Sequence, residues 1–197
     1  MPRMRRRELL QRSASALLAL TAMTAGSAAR AWPNSRTPVD LKQLQVTRTD
    51  DGVTLSYDVR FDLPKEVEDA LLKGVSLVFL AEAETYRSRW YWTDKLRSTA
   101  RRRWRLTYQP LTRQWRLSFD GLSRHYSRLV DALNAMRRGS NWRIADTLPI
   151  GDDQDYYVDF KFKLDTDELP RPLQLSLGIQ SEWDLAIERR IAVPPPR

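Results

Sequence analysis

Tyr86–Asp120, YRSRWYWTDKLRSTARRRWRLTYQPLTRQWRLSFD, decides how this chain folds. Four of the seven tryptophans lie in it (Trp90, Trp92, Trp104, Trp115), set among a dense cluster of arginines. In Arg103–Tyr108 and Arg113–Phe119 large apolar residues alternate with charged or small polar ones, the period-2 pattern of strands with one buried face. Between them Gln109-Pro110-Leu111-Thr112 places proline at the first corner of a type I turn, where its fixed φ is needed. A hairpin closed there sets Leu106 opposite Trp115 and Trp104 opposite Leu117 on one face. On the other face it sets Arg105 opposite Arg116, and like charges so placed repel unless water or carboxylates lie nearby. One face is therefore core and the other an arginine surface.

The flanking segments read the same way. Leu41–Thr49 and Val53–Phe61 alternate around Asp50-Asp51-Gly52, a hairpin signal because glycine tolerates the positive φ of such turns. After Asp62-Leu63-Pro64, KEVEDALLKG has a proline start, early acidic residues and Gly74 as a stop. A short helix follows, with Leu63, Val67, Ala70 and Leu71 on one stripe. Val75–Tyr86 is a central strand leading into Trp90-Tyr91-Trp92. A second helix is expected over Ser123–Arg138, ended by Gly139, because Tyr126, Leu129, Val130, Leu133 and Met136 keep helical spacing. Further strands are expected at Asn141–Leu148, Tyr156–Leu164, Leu173–Gln180 and Trp183–Val193. The two strand–helix units echo one another (Phe61-Asp62 and Phe119-Asp120, Asp69-Ala70-Leu71 and Asp131-Ala132-Leu133), which two ordinary units also explain. Many strands, tight turns and two short helices make the fold mainly β. A two-layer antiparallel β-sandwich-like domain is expected, with a partly closed barrel as the alternative.

The N-terminus sets the compartment. A basic start (Met1–Arg12), an apolar run (Ala14–Ala25) and Ala29-Arg30-Ala31 make residues 1–31 a signal peptide. The apolar run is about half the roughly 20 residues that a membrane-spanning helix requires. Arg5-Arg6-Arg7-Glu8-Leu9-Leu10 has the look of a twin-arginine signal, and an ordinary arginine-rich start is the other reading. The expected organisation is then an extended leader at 32–38, a single β-rich domain at 39–193 and a proline-rich tail at 194–197. The chain is expected to be periplasmic or secreted and not membrane-spanning after cleavage. Of 33 basic and 25 acidic residues, the leader takes six arginines and one glutamate, leaving 27 and 24, a net of +3. That small excess does not point to nucleic acid. With no cysteine in the chain, disulfides, thiol catalysis and cysteine-ligated zinc are all excluded.

FDLPKEVEDALLKGVSLVFLAEAETYRSRWYWTD and RRWRLTYQPLTRQWRLSFDGL, together with LPRPLQLSL and EWDL, resemble a family of exported proteobacterial proteins. It is catalogued as a domain of unknown function, number 4390, and the likeness runs from about Val39 to Val193. The resemblance implies export and a shared fold, and an accessory role in the cell envelope. It brings no catalytic residue.

Two surfaces are candidates for binding. Arg87, Arg89, Arg97, Arg101, Arg103, Arg105, Arg113 and Arg116 form an arginine face whose guanidinium forks suit carboxylate or phosphate. The plain reading is a solvated strand face paired with the chain's own carboxylates. Trp90, Tyr91 and Trp92, if on a strand, alternate between faces. Aromatics this dense are expected to plug the core, and a stacking platform for sugars is the functional alternative. His125, the single histidine, is expected near a helix start at the surface. The acidic loops Gly151–Asp155 and Asp165–Glu168 lack EF-hand spacing and read as turns. No catalytic residue, metal ligand or cofactor is assigned. The favoured function is a non-catalytic binding or envelope accessory module, with an envelope protein or an anionic envelope component as partner. A carboxylate-dependent glycan-active enzyme and a strand-adding assembly factor are the alternatives.

Overall fold

In a computed structural model, residues 39–149, 155–171, 173 and 183–195 are described. The expected signal peptide, the expected extended leader and the expected Leu173–Gln180 strand therefore lie, wholly or almost wholly, outside the described residues. Strands β1 (Val39–Thr49) and β2 (Gly52–Phe61) are followed by α1 (Lys65–Leu72), β3 (Leu77–Arg87), β4 (Lys95–Gln109), β5 (Gln114–Phe119) and β6 (Leu122–Tyr126). Then come α2 (Leu129–Arg137), β7 (Arg138–Ala145), β8 (Tyr156–Leu164), a 3-10 turn (Thr166–Glu168) and β9 (Ala186–Ala192). All neighbours pair antiparallel, in a three-stranded sheet β1-β2-β7 and a six-stranded sheet β6-β5-β4-β3-β8-β9. Two antiparallel sheets sharing one buried core make the domain mainly β and sandwich-like, as expected.

The core follows from strand parity. Leu77, Phe79, Ala81, Ala83 and Thr85 of β3 and Tyr156, Val158, Phe160, Phe162 and Leu164 of β8 are all buried. Across the gap, Phe61 of β2 stacks on Phe79 at 5.4 Å, and Tyr57 meets Phe160 at 4.9 Å. Alternate residues from both sheets thus interdigitate, the arrangement that stabilises face-to-face sheets. α1 buries Val67, Ala70 and Leu71 and closes with Val75 N–H bonded back to Ala70 O, past Gly74 at φ 89°. At the other end of the sheets Ser98 Oγ of β4 donates to Ile144 O of β7 at 2.7 Å. There too the buried Arg48 donates to Leu148 O and Pro149 O and lies over the Tyr156 ring.

Three local expectations are corrected. The β4–β5 loop is four residues, Pro110–Arg113, because Arg113 adopts φ 51° and lengthens the turn. Leu106 therefore faces Leu117, Trp104 faces Phe119, and Tyr108 faces Trp115, a slip of two residues from the expected register. A two-residue slip preserves the face of every side chain, so Trp104 and Leu106 stay buried. It also separates Arg105 from Arg116, which face Ser118 and Thr107 instead. The second helix is shorter than expected: Asp120 (φ 48°) and Gly121 (φ 77°) form a tight hairpin turn, and Leu122–Tyr126 becomes strand β6. With a strand inserted there, the echo between the two strand–helix units does not hold. Gly139 is a strand residue and not a helix stop. A Cβ there would lie 2.3 Å from the Tyr57 ring, so glycine makes room for that ring.

Candidate binding surface

The β3–β4 connection, residues 88–94, leaves the sheet at one end and is tied back by named contacts. Ser88 N–H donates to Asp155 O at 2.8 Å. Asp94 uses both carboxylate oxygens: Oδ1 takes the Arg89 N–H at 3.0 Å and Oδ2 takes the Tyr157 hydroxyl at 2.6 Å. Tyr157, on the outer face of β8, is itself held from two sides. The Tyr86 ring stacks on it at 5.3 Å, and the Arg190 guanidinium of β9 lies 4.0 Å from its centroid. Arg190 is in turn fixed by a two-pronged pair with Asp159 at 2.7 and 2.8 Å. Such planar double contacts are the strong form of ion pair.

Electrostatics follow the contacts. The Tyr157 hydrogen bond, helped by the Arg89 N–H, holds the Asp94 carboxyl below its usual range. Loss of hydration, then the bond to Asp94, pushes the Tyr157 phenol up to about 12. Asp159 raises Arg190 further above its ordinary value. The group is a fixed ionic brace, and Asp94 is the wrong kind of carboxyl to give up a proton near neutral pH.

The brace presents Trp90, Tyr91 and Trp92 to solvent, at 92%, 66% and 70% exposure. This overturns the core-plug expectation, and the three residues are not on a strand. The rings meet at steep angles, Trp90 to Tyr91 at 81° and Tyr91 to Trp92 at 64°. They border an open pocket of ≈ 630 Å³ whose other described lining residues are Arg87, Ser88, Arg89 and Asp155. Neither Arg87 nor Arg89 makes an ion pair with another described residue within 4 Å.

The expected arginine face divides into parts. Arg101, Arg103 and Arg105 of β4 and Arg116 of β5 do share the outer face of the six-stranded sheet. They are largely engaged there: Arg101 with Glu82 at 2.5 Å, Arg103 and Arg105 both with Glu168, and Arg116 with the Ser123 hydroxyl at 3.1 Å. Arg87 and Arg89 belong instead to the aromatic end, with Arg97 just beyond it, and Arg113 sits in the turn at the far end of β4. His125 lies on the edge strand β6, opposite Arg116, and is exposed. Arg102, which nothing in the sequence pattern singles out, by parity joins Trp104 on the inner face. Its guanidinium lies 5.0 Å from the Trp142 ring and 5.9 Å from the Phe119 ring. The Asp94–Tyr157 brace is equally hidden in the sequence, because its two partners stand 63 residues apart.

Among the described residues no group of three or more His, Cys, Asp or Glu side chains is placed to hold a metal ion. No helix among them is long and apolar enough to cross a membrane. Together fold and surface define a class: an antiparallel β-sandwich that carries a braced, solvent-exposed aromatic loop at one end of its larger sheet. Residues 37–191 match the family model described as a domain of unknown function (DUF4390), and the chain belongs to that family. Comparisons with curated proteins and with solved structures find no match.

Proposed function

We propose that this chain is an exported, non-catalytic binding protein that docks on the cell envelope through the loop of residues 88–94. One observation carries the reading: three consecutive aromatics are held in water by a loop braced through its Ser88 and Arg89 amides and its Asp94 carboxylate. Exposed contiguous aromatic surface of this kind marks interaction sites, and pre-ordering the loop lowers the entropy lost on binding. A glycan-active enzyme gains no support from Asp94, the carboxylate of the aromatic loop itself, because both its oxygens are occupied. A strand-adding role is disfavoured. At the β6 edge of the larger sheet the strand is five residues long and carries Arg124, the short and charged character that blunts edge pairing.

The test is retention of purified protein on isolated envelope membranes, wild type against Trp90→Ala/Tyr91→Ala/Trp92→Ala. Loss of retention at an unchanged melting temperature is expected. Equal retention overturns the reading. Export is tested by fusing residues 1–31 to a reporter active only outside the cytoplasm, and an inactive fusion refutes it.

A further inference from the structure

We infer that the aromatic loop is an interfacial anchor that enters the headgroup region of an anionic phospholipid bilayer; this rests on the docking reading above. The residue types are those of a membrane–water boundary. Trp and Tyr each offer a large apolar body and one polar group, which suits a layer that is oily below and wet above. Leu96, at the start of β4 opposite Tyr86, is a further exposed apolar side chain nearby in the chain. Residues 87–97 hold four cations (Arg87, Arg89, Lys95, Arg97) against one carboxylate, Asp94, which is turned to Tyr157. Cations flanking an apolar tip along the chain, Arg87 and Arg89 lining the same pocket, complement a surface of phosphates.

The geometry argues against other occupants. A sugar chain stacks on flat, roughly coplanar rings, whereas these three rings stand at 81° and 64° to their neighbours. An acidic protein would find better-ordered guanidinium groups on the outer sheet face, yet those already hold Glu82 and Glu168. A soft interface needs no matching contour and accepts protruding rings as they are. β4 spans roughly 45 Å at strand rise, so a tip anchored this way leaves the far turn, Pro110–Arg113, in water. Among the described residues that line the pocket Asp155 is the one carboxylate, and it opposes phosphate there.

The chain has no cysteine, so Tyr91→Cys and Leu111→Cys each supply a single site for an environment-sensitive fluorophore. The labelled full-length chain is mixed with protein-free vesicles of phosphatidylglycerol and phosphatidylcholine, or of phosphatidylcholine alone. A blue shift is expected at position 91 on the anionic vesicles only, with position 111 unchanged. Arg87→Glu/Arg89→Glu is expected to weaken binding by roughly thirtyfold or more, and Asp155→Asn to tighten it by roughly fivefold. The inference is overturned if position 91 stays in water while the chain binds, which assigns binding to another segment such as the N-terminus. It is overturned equally if both vesicle types give the same response. Tip-dependent retention on envelope membranes without any response to protein-free vesicles leaves docking intact, assigns it to a protein partner and ends the lipid inference.

Discussion

Trp104→Ala tests the packing that everything else stands on. Trp104 is 5% exposed, on the inner face of β4, stacked on Phe119 at 5.4 Å and tilted against Phe162 at 6.4 Å. Phe162 in turn touches Phe61, Phe79 and Tyr57, so the indole borders the centre of the aromatic core. Replacing a buried indole by a methyl group removes its transfer free energy and leaves a cavity that its rigid ring neighbours fill poorly. The cost is about 3–5 kcal/mol. Domains of this size lose roughly 2–4 °C of melting temperature per kcal/mol, so a fall of about 6–20 °C is expected. Trp90→Ala deletes the same atoms from a side chain that is 92% exposed, and the expected change is within about 0.5 kcal/mol. Paired thermal melts followed by far-ultraviolet circular dichroism read the contrast. If Trp104→Ala melts within about 2 °C of wild type, or Trp90→Ala falls as far as Trp104→Ala, the assignment of inner and outer aromatics is wrong.

Gly139→Ala should destabilise by about 1–3 kcal/mol, because its Cβ must displace the Tyr57 ring; a denaturant midpoint equal to wild type contradicts this. Tyr57→Phe should be neutral or stabilising by up to about 1 kcal/mol, since the buried hydroxyl has no hydrogen-bond partner of ordinary geometry, and a loss above about 2 kcal/mol in the same assay refutes it. The brace should respond to pH at both extremes. Tyr157 is raised in the fold, so its stabilisation is complete below about pH 10, its ordinary value, and is lost as pH climbs through about 12. Asp94 is lowered, so its stabilisation is complete above the ordinary aspartate range and is lost as pH falls below that range. The Arg89 amide resonance should report the acid transition, and a midpoint at or above about 3.9 contradicts the brace. Asp94→Asn should abolish that transition.

The sandwich was legible because its strands alternate cleanly and its core depends on parity alone. That is why a two-residue error at Pro110–Arg113 moved every cross-strand partner of β4 and β5 without turning a single tryptophan outward. Loop length was not legible: Pro110 announces a turn, but the left-handed Arg113 that lengthens it has no distinctive residue type. Asp120-Gly121 carried the same hairpin signal as Asp51-Gly52, yet the helical spacing from Tyr126 onward masked the short strand between. In the first hairpin the glycine serves a further purpose, since a Cβ on Gly52 would meet Ala145 O of β7 at 2.6 Å. The aromatic loop was the hardest to read. Trp-Tyr-Trp fits a strand as well as a loop, and what pulls it off the sheet is Asp94 reaching a tyrosine from a distant strand. The arginine pattern marked an outward face correctly, but only carboxylates brought in by the fold, Glu82 and Glu168, reveal that most of that face is already satisfied.

The most direct measurement is the amount of protein held by envelope membranes once Trp90, Tyr91 and Trp92 are all alanine, taken alongside the melting temperature of the same sample. Near-complete release with an unaltered melt is the predicted result. Undiminished capture would place the binding surface elsewhere on the molecule and contradict the account.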